Sequence, residues 1–345
     1  MDGKNILKKI GIGIFIFFNF IGVSFAAPNI TSTSGNLSKG QNVYISGSSF
    51  GTHPDYHKNV SGKLNWLWQN FEQDLKYDGL NTSYDSFWKR QTNNGRSGYW
   101  ASRTGQGNIQ GLISQNVSFN TGQLFLSYWC LLPSNVDNGK TVRIRLNNQS
   151  VDYWYNLRGG NLASDSPSQF VLWGALGSLP KDKWFRIDML LSNNPISQKF
   201  WVIGSNGNNP VYSGTQSSII SNASVELNLG AGYDSSNGYY GFDDVFGNFT
   251  QARVEICNAS TWGSRSQCDI QIPTTWSSNS IGITVNQGAF GSGSQAYLYV
   301  VDSNGAVNTN GYPVTIGASS DSGTPTTPPT GTAPPAPALN PPVVK

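Results

Sequence analysis

Two histidines and three cysteines in 345 residues leave little material for metal or thiol chemistry. His53 and His57 stand outside any Cys/His cluster, so neither a zinc centre nor a Cys–His nucleophile pair has support. Cys130 lies within the strand-like run Gln123–Leu132 and reads as a buried small hydrophobe. Charge is scarce as well, at 12% of residues, with a net of +3 from 22 Lys+Arg and 19 Asp+Glu. The N-terminal leader described next carries three of those basic residues and one of the acidic ones, which leaves 19 against 18. So even a balance provides no basic face for nucleic acid. Glu, Lys, Leu and Met are sparse while Gly, Ser, Asn, Thr and aromatics abound, which disfavours long helices and favours short strands joined by tight turns.

What is present starts with Lys4, Lys8 and Lys9. An apolar run from Ile10 to Phe25 follows, interrupted by glycines, Asn19 and Ser24, and then small residues at Ser24 and Ala26. That order is the grammar of a cleavable secretory signal peptide over residues 1–26. It predicts a secreted or cell-surface protein, with membrane attachment only through the leader if it stays uncleaved. In an oxidising compartment Cys257 and Cys268 are close enough in sequence to bridge. At the other end, residues 318–345 collapse into Thr, Ser, Gly, Ala and Pro, with 8 of the 17 prolines between Pro325 and Pro342, and read as an extended linker.

Between these ends the pattern has period two. Val142, Ile144 and Leu146 alternate with Arg143 and Arg145, and Phe185, Ile187, Met189 and Leu191 alternate with Arg186 and Asp188. One apolar and one polar face per strand predicts stacked sheets whose outer face is open. Ile30 to Gly51, with Ser34-Gly35, Gly40-Gln41, Gly47 and Phe50-Gly51, resembles the opening of an IPT/TIG immunoglobulin-like domain. The pattern resumes at Ala252–Ile256, Trp276–Val285, Gly288, Ala296–Gly305 and Gly311–Gly317. The resemblance implies one Ig-like sandwich, residues 27–54 and 251–317, interrupted by an insert over 55–250. That insert opens with Asn70-Phe-Glu72 and closes with Tyr239-Tyr-Gly-Phe-Asp-Asp-Val-Phe246. It is similar to concanavalin A-like jelly rolls, the group of laminin-G modules, legume-type lectins, glucanases and polysaccharide lyases. The expected fold is all-β, a jelly-roll β-sandwich inserted into an Ig-like β-sandwich. Such a fold hosts binders and enzymes alike.

Catalysis on this fold needs specific groups. A glycosidase requires paired carboxylates, and Glu72 and Asp74 share a strand face, although the third acid of the laminarinase-like pattern is replaced by Lys76. A lyase requires a cation and a base, types that Arg143, Arg145 and Tyr153 supply, but the Gln-x-His and Tyr-x-Lys-x-Gly signatures of alginate-lyase-like jelly rolls are missing. Glycan binding requires less: aromatic rings for the apolar sugar face and polar groups for hydroxyls. Arg143, Arg145, Trp154, Arg158, Lys199 and Trp201 are the candidate ligand-binding residues, Trp154 and Trp201 by strand parity on an exposed polar face. Asp243 and Asp244 are the candidates for calcium, although adjacent strand residues point to opposite faces; no other cofactor is expected. The reading is a secreted or cell-surface carbohydrate-binding or adhesion-type protein whose partner is an extracellular polysaccharide or glycan. A polysaccharide lyase or hydrolase, and a structural spacer of a surface assembly, stand as alternatives.

Overall fold

The computed structural model describes residues 26–53, 66–70, 88–92, 95–103, 107–109, 113–118, 123–134, 139–146, 152–158, 161–165, 179–193, 196–203, 212–214, 224–229, 232–234 and 241–320. The leader, Glu72, Asp74 and the chain from residue 321 onward lie outside them. In chain order the strands begin with β1 (Asn29–Asn36), β2 (Asn42–Ser48), β3 (Trp66–Gln69), β4 (Trp88–Gln91), β5 (Trp100–Arg103) and β6 (Gly107–Ile109). Next come β7 (Ile113–Ser118), β8 (Gln123–Leu131), β9 (Gly139–Leu146), β10 (Asp152–Arg158), β11 (Asn161–Asp165) and β12 (Trp184–Asn193). They continue with β13 (Ile196–Ile203), β14 (Tyr212–Gly214), β15 (Ser224–Leu229), β16 (Gly232–Asp234), β17 (Gly241–Asn248) and β18 (Arg253–Cys257). The last are β19 (Cys268–Ile270), β20 (Ile272–Trp276), β21 (Ser280–Thr284), β22 (Gln295–Val301), β23 (Tyr312–Thr315) and β24 (Ser319–Ser320).

The chain is all-β, one β-sandwich inserted into another. The outer sandwich joins sequence neighbours from opposite ends: β1 and β2 lie in a five-stranded sheet of order β20-β21-β2-β1-β24, opposite a four-stranded sheet β19-β18-β22-β23. Alternate residues of these strands, among them Ile30, Val43, Ile45, Val254, Ile256, Ile281, Ile283, Leu298 and Val300, fill one core. Each such side chain contributes roughly 1.5–3 kcal/mol on leaving water. The two ends are therefore held together by burial over a gap of some two hundred residues. Trp276 donates its indole N–H to the Phe50 carbonyl at 3.2 Å, fastening the N-terminal segment to the C-terminal one. Ser319–Ser320 pairs with Gly35–Asn36, so the sheet runs past Gly317 into the segment expected to be linker. Cys257 and Cys268 are joined in a disulfide between β18 and β19.

The insert strands β3 to β17 pair only with one another among the described residues. They form an eight-stranded sheet, β14-β13-β12-β8-β17-β5-β4 with β3 also on β17, a five-stranded sheet β11-β10-β9-β15-β7, and the pair β16-β6. On one face of the larger sheet Leu124, Leu126, Tyr128 and Cys130 stand opposite Leu191, Met189, Ile187 and Phe185, all buried. Burial pushes the unpaired Cys130 thiol up to about 12, so it stays protonated, as a core residue should. Phe249 to Ala252 carry the chain straight from β17 into β18, and Asn248 lies 3.4 Å from His53, so entry to and exit from the insert are adjacent.

The other face of the eight-stranded sheet corrects an expectation. Alternation in β12 predicts an open polar face bearing Arg186 and Asp188; instead both are 1% exposed. They are covered by the outer sandwich, whose Ile270 packs with Phe125, Leu190 and Phe246 of that face. Trp201, expected on an exposed face, is half-buried against this same cluster, and Lys199 is half-buried two residues before it.

Candidate functional site

Strand register brings polar residue types into rows across the five-stranded sheet. Ser114, Asn228, Arg143, Trp154 and Asp165 are successive Cα partners across β7, β15, β9, β10 and β11. Asn116, Glu226, Arg145 and Asp152 form the neighbouring row. At about 4.8 Å between strands, the first row spans roughly 19 Å. Arg143, Arg145 and Trp154 thus fall in these rows by backbone register, and Arg158, the partner of Asn161, lies further along β10. Tyr153 falls in neither row: its partners by register are Ile144 and, one strand further, Leu227.

A second site, invisible in any one stretch of sequence, lies where β12 meets β18. Arg186 donates to Asp188 at 2.8 Å, to Glu255 at 3.0 Å and to the Cys268 carbonyl at 3.0 Å. Arg253 donates from Nε to Glu255 at 2.6 Å and stacks over Phe125, 4.4 Å from the ring centre. Arg265, on the loop closed by the disulfide, stacks 3.3 Å over Trp262 and donates to that residue's carbonyl at 2.7 Å. Burial alone would raise the Glu255 carboxyl, but Arg186, Arg253 and Arg265 outweigh it and hold it at about 2. Burial acts the other way on Arg265 and, joined by repulsion from Arg186 and Arg253, lowers it to about 10 against the pull of Glu255 and Asp188. A cavity of about 70 Å³ opens here, floored by Asp188, Arg253 and Arg265 and rimmed by Trp201, Trp262 and Gly305. A larger cleft of about 410 Å³, lined by Thr52, His53, Gln123, Thr250, Ser303 and Asn304, lies where the chain crosses between the sandwiches.

Asp243 and Asp244 occupy a third cluster. Alternation places adjacent residues on opposite faces, but a register shift between Asp243 and Phe246 and a φ of 42° at Asp244 break it. Both carboxylates instead gather near Arg96, which pairs with Asp244 and Asp269; Ser97 donates to Asp243 at 3.3 Å and Asn286 to Asp244 at 3.4 Å. Burial, then repulsion from Asp244, pushes the Asp269 carboxyl up to about 6 against the pull of Arg96 and Arg186. Gly288, at φ +55°, leaves the space that Asp269 fills, since a Cβ there would overlap the carboxylate. Calcium requires six to eight oxygen ligands, whereas these carboxylates are arranged around a guanidinium, so the residues do not fit that ion. Glu255, Cys257 and Cys268 also cluster, but the disulfide withholds the thiolates a metal would need.

Neither a protein-family model nor a curated protein matches the sequence. Among solved structures it is similar to the binding domain of Paraclostridial Mosquitocidal Protein 1, with TM-score 0.34 and 11% identity, over 79% of this chain and 64% of that one. It is also similar to domain 4 of AbnA, a GH43 extracellular arabinanase from Geobacillus stearothermophilus, in complex with arabinotriose. There the TM-score is 0.34 and the identity 12%, over 64% of this chain and 93% of that one. Galectin LEC-6 of Caenorhabditis elegans gives TM-score 0.27 and 12% identity, over 41% of this chain and 94% of that one. The chain spans about 64% of the length of the first of these. Likeness at this level identifies no shared ligand or activity.

Proposed function

We propose that this is a secreted or cell-surface carbohydrate-binding protein that takes an extended glycan along the polar face of its five-stranded sheet. The observation that supports the reading is the row Ser114, Asn228, Arg143, Trp154 and Asp165. By residue type this row supplies a hydroxyl, an amide, a cation, an indole and a carboxylate, on Cα positions that span roughly 19 Å. Sugar hydroxyls ask for paired donors and acceptors, and the apolar face of a pyranose asks for an aromatic ring. Signal-peptide grammar at residues 1–26 supports the location, and the resemblance to a split IPT/TIG domain carrying a concanavalin A-like insert supports the class.

The test is a glycan array followed by calorimetry on the full chain. Trp154→Ala and Arg143→Ala are each expected to weaken the best ligand about tenfold or more, the scale of one lost stacking or charge-assisted contact. Binding that neither variant changes, or no glycan bound at millimolar concentration, refutes the proposal.

A further inference from the structure

The junction cavity between the two sandwiches holds an imbalance of charge. Three guanidiniums, Arg186, Arg253 and Arg265, meet two carboxylates, Asp188 and Glu255. Arg186 and Arg253 pair with those carboxylates, although the Nε of Arg186 is itself buried without an acceptor. Arg265 donates only from Nη1, to a backbone carbonyl, and its buried Nε has no acceptor. Buried donors are ordinarily bonded, so the arrangement lacks one anionic acceptor. Stacking on Trp262 uses the face of the Arg265 guanidinium and leaves its in-plane N–H edge free, the geometry that grips a carboxylate in two bonds.

A second orphan lies across the same cavity. Asp188 Oδ1 is buried without a donor. A ligand that satisfies both groups carries a carboxylate and, nearby, a hydroxyl. At about 70 Å³ the cavity has room for a carboxylate or about two waters, at roughly 30 Å³ per water, and not for a whole sugar ring. The ring would stay at the rim, where Trp201 and Trp262 are half-buried.

We infer that this cavity is a binding site for the carboxylate end of an acidic sugar, with Arg265 as its anion-gripping residue, Asp188 as acceptor for a ring hydroxyl and Trp201 as the apolar wall. The inference rests on the glycan-binding reading but concerns a different place in the molecule, remote in register from the Arg143–Trp154 row.

Titration of the isotope-labelled full chain with sodium glucuronate, read on the arginine Nε–H resonances, tests it. Arg265→Lys supplies the assignment. The Arg265 Nε–H signal is expected to shift saturably with glucuronate and not with glucose, and Arg265→Gln to weaken glucuronate about tenfold to a hundredfold by calorimetry. Should Arg265→Gln fail to fold, the wild-type titration decides alone. An unmoved Nε–H signal overturns the inference. An equal shift with sulfate or N-acetylglutamate at the same concentration overturns the assignment to an acidic sugar in favour of a general anion or a peptide. Neutral glycans bound through Trp154 with the Arg265 signal silent defeat this inference alone; no glycan bound by any route defeats the parent reading as well.

Discussion

Replacing Glu255 by glutamine removes one negative charge from between two arginines while keeping the size of the side chain. Glu255 is 0% exposed, with Oε1 2.6 Å from Arg253 Nε and Oε2 3.0 Å from Arg186 Nη2. Its carboxyl sits at about 2 where the ordinary value is 4.5, so the folded state favours the charged form by about 3 kcal/mol. A buried pair that loses one partner typically costs about 3–5 kcal/mol, which agrees. Because the folded value is depressed, this contribution is fully present above pH 4.5 and is lost as the pH falls toward 2. Urea unfolding of the oxidised protein, followed by tryptophan fluorescence, should show Glu255→Gln about 3 kcal/mol less stable at pH 7. The gap should narrow as the pH falls through 4 toward 3. A loss below about 1 kcal/mol at pH 7, the level of an exposed pair, refutes the assignment of Glu255 as the keystone of the junction. So does a loss that stays the same at both pH values.

Two further outcomes follow from the same region. Asp269, held at about 6 against an ordinary 3.8, binds its proton more tightly folded than unfolded, so wild-type stability should fall as the pH rises from about 4 to 6. Asp269→Asn should remove that slope, on the order of 2–3 kcal/mol, in a series of thermal melts. The Cys257–Cys268 bridge closes a separation of 11 residues, and the double serine variant should lose about 3 kcal/mol in urea unfolding.

The strands of the five-stranded sheet are legible in the sequence because the code there is local. Val142, Ile144 and Leu146 alternate with Arg143 and Arg145 within one segment, which is enough to mark a strand, and pairing then sets its neighbours. Strand parity failed where tertiary contact decides. Arg186 and Asp188 have the alternation of a solvated face, yet their cover, Glu255 and the Cys268 carbonyl, lies some seventy to eighty residues downstream. The signal that was available is Arg253-Val-Glu-Ile-Cys257: an Arg and a Glu on one face of a strand whose other face, Val254 and Ile256, belongs to a core. Asp243 and Asp244 were misjudged for a different reason. A bulge adds a residue that periodicity cannot register, and a positive φ at a non-glycine residue is worth its strain only because Arg96 awaits the displaced carboxylate.

Charge at the junction is segregated, and that segregation explains why the two buried clusters behave differently. Around Glu255 the guanidiniums exceed the carboxylates by one; around Arg96 three carboxylates meet one guanidinium. An excess of cations overcomes burial to lower the Glu255 carboxyl, and it adds to burial in weakening the hold of Arg265 on its proton. Around Arg96 burial raises Asp269 first, and the neighbouring Asp244 carboxylate adds to that rise. Arg186, bonded to the carbonyl of Cys268 directly before Asp269, lies between the two lobes and is felt by both. Within one lobe a proton on Asp269 relieves the imbalance once the pH falls below about 6. In the other no proton can relieve it, because arginine stays charged, and the remaining remedy is an anion from outside.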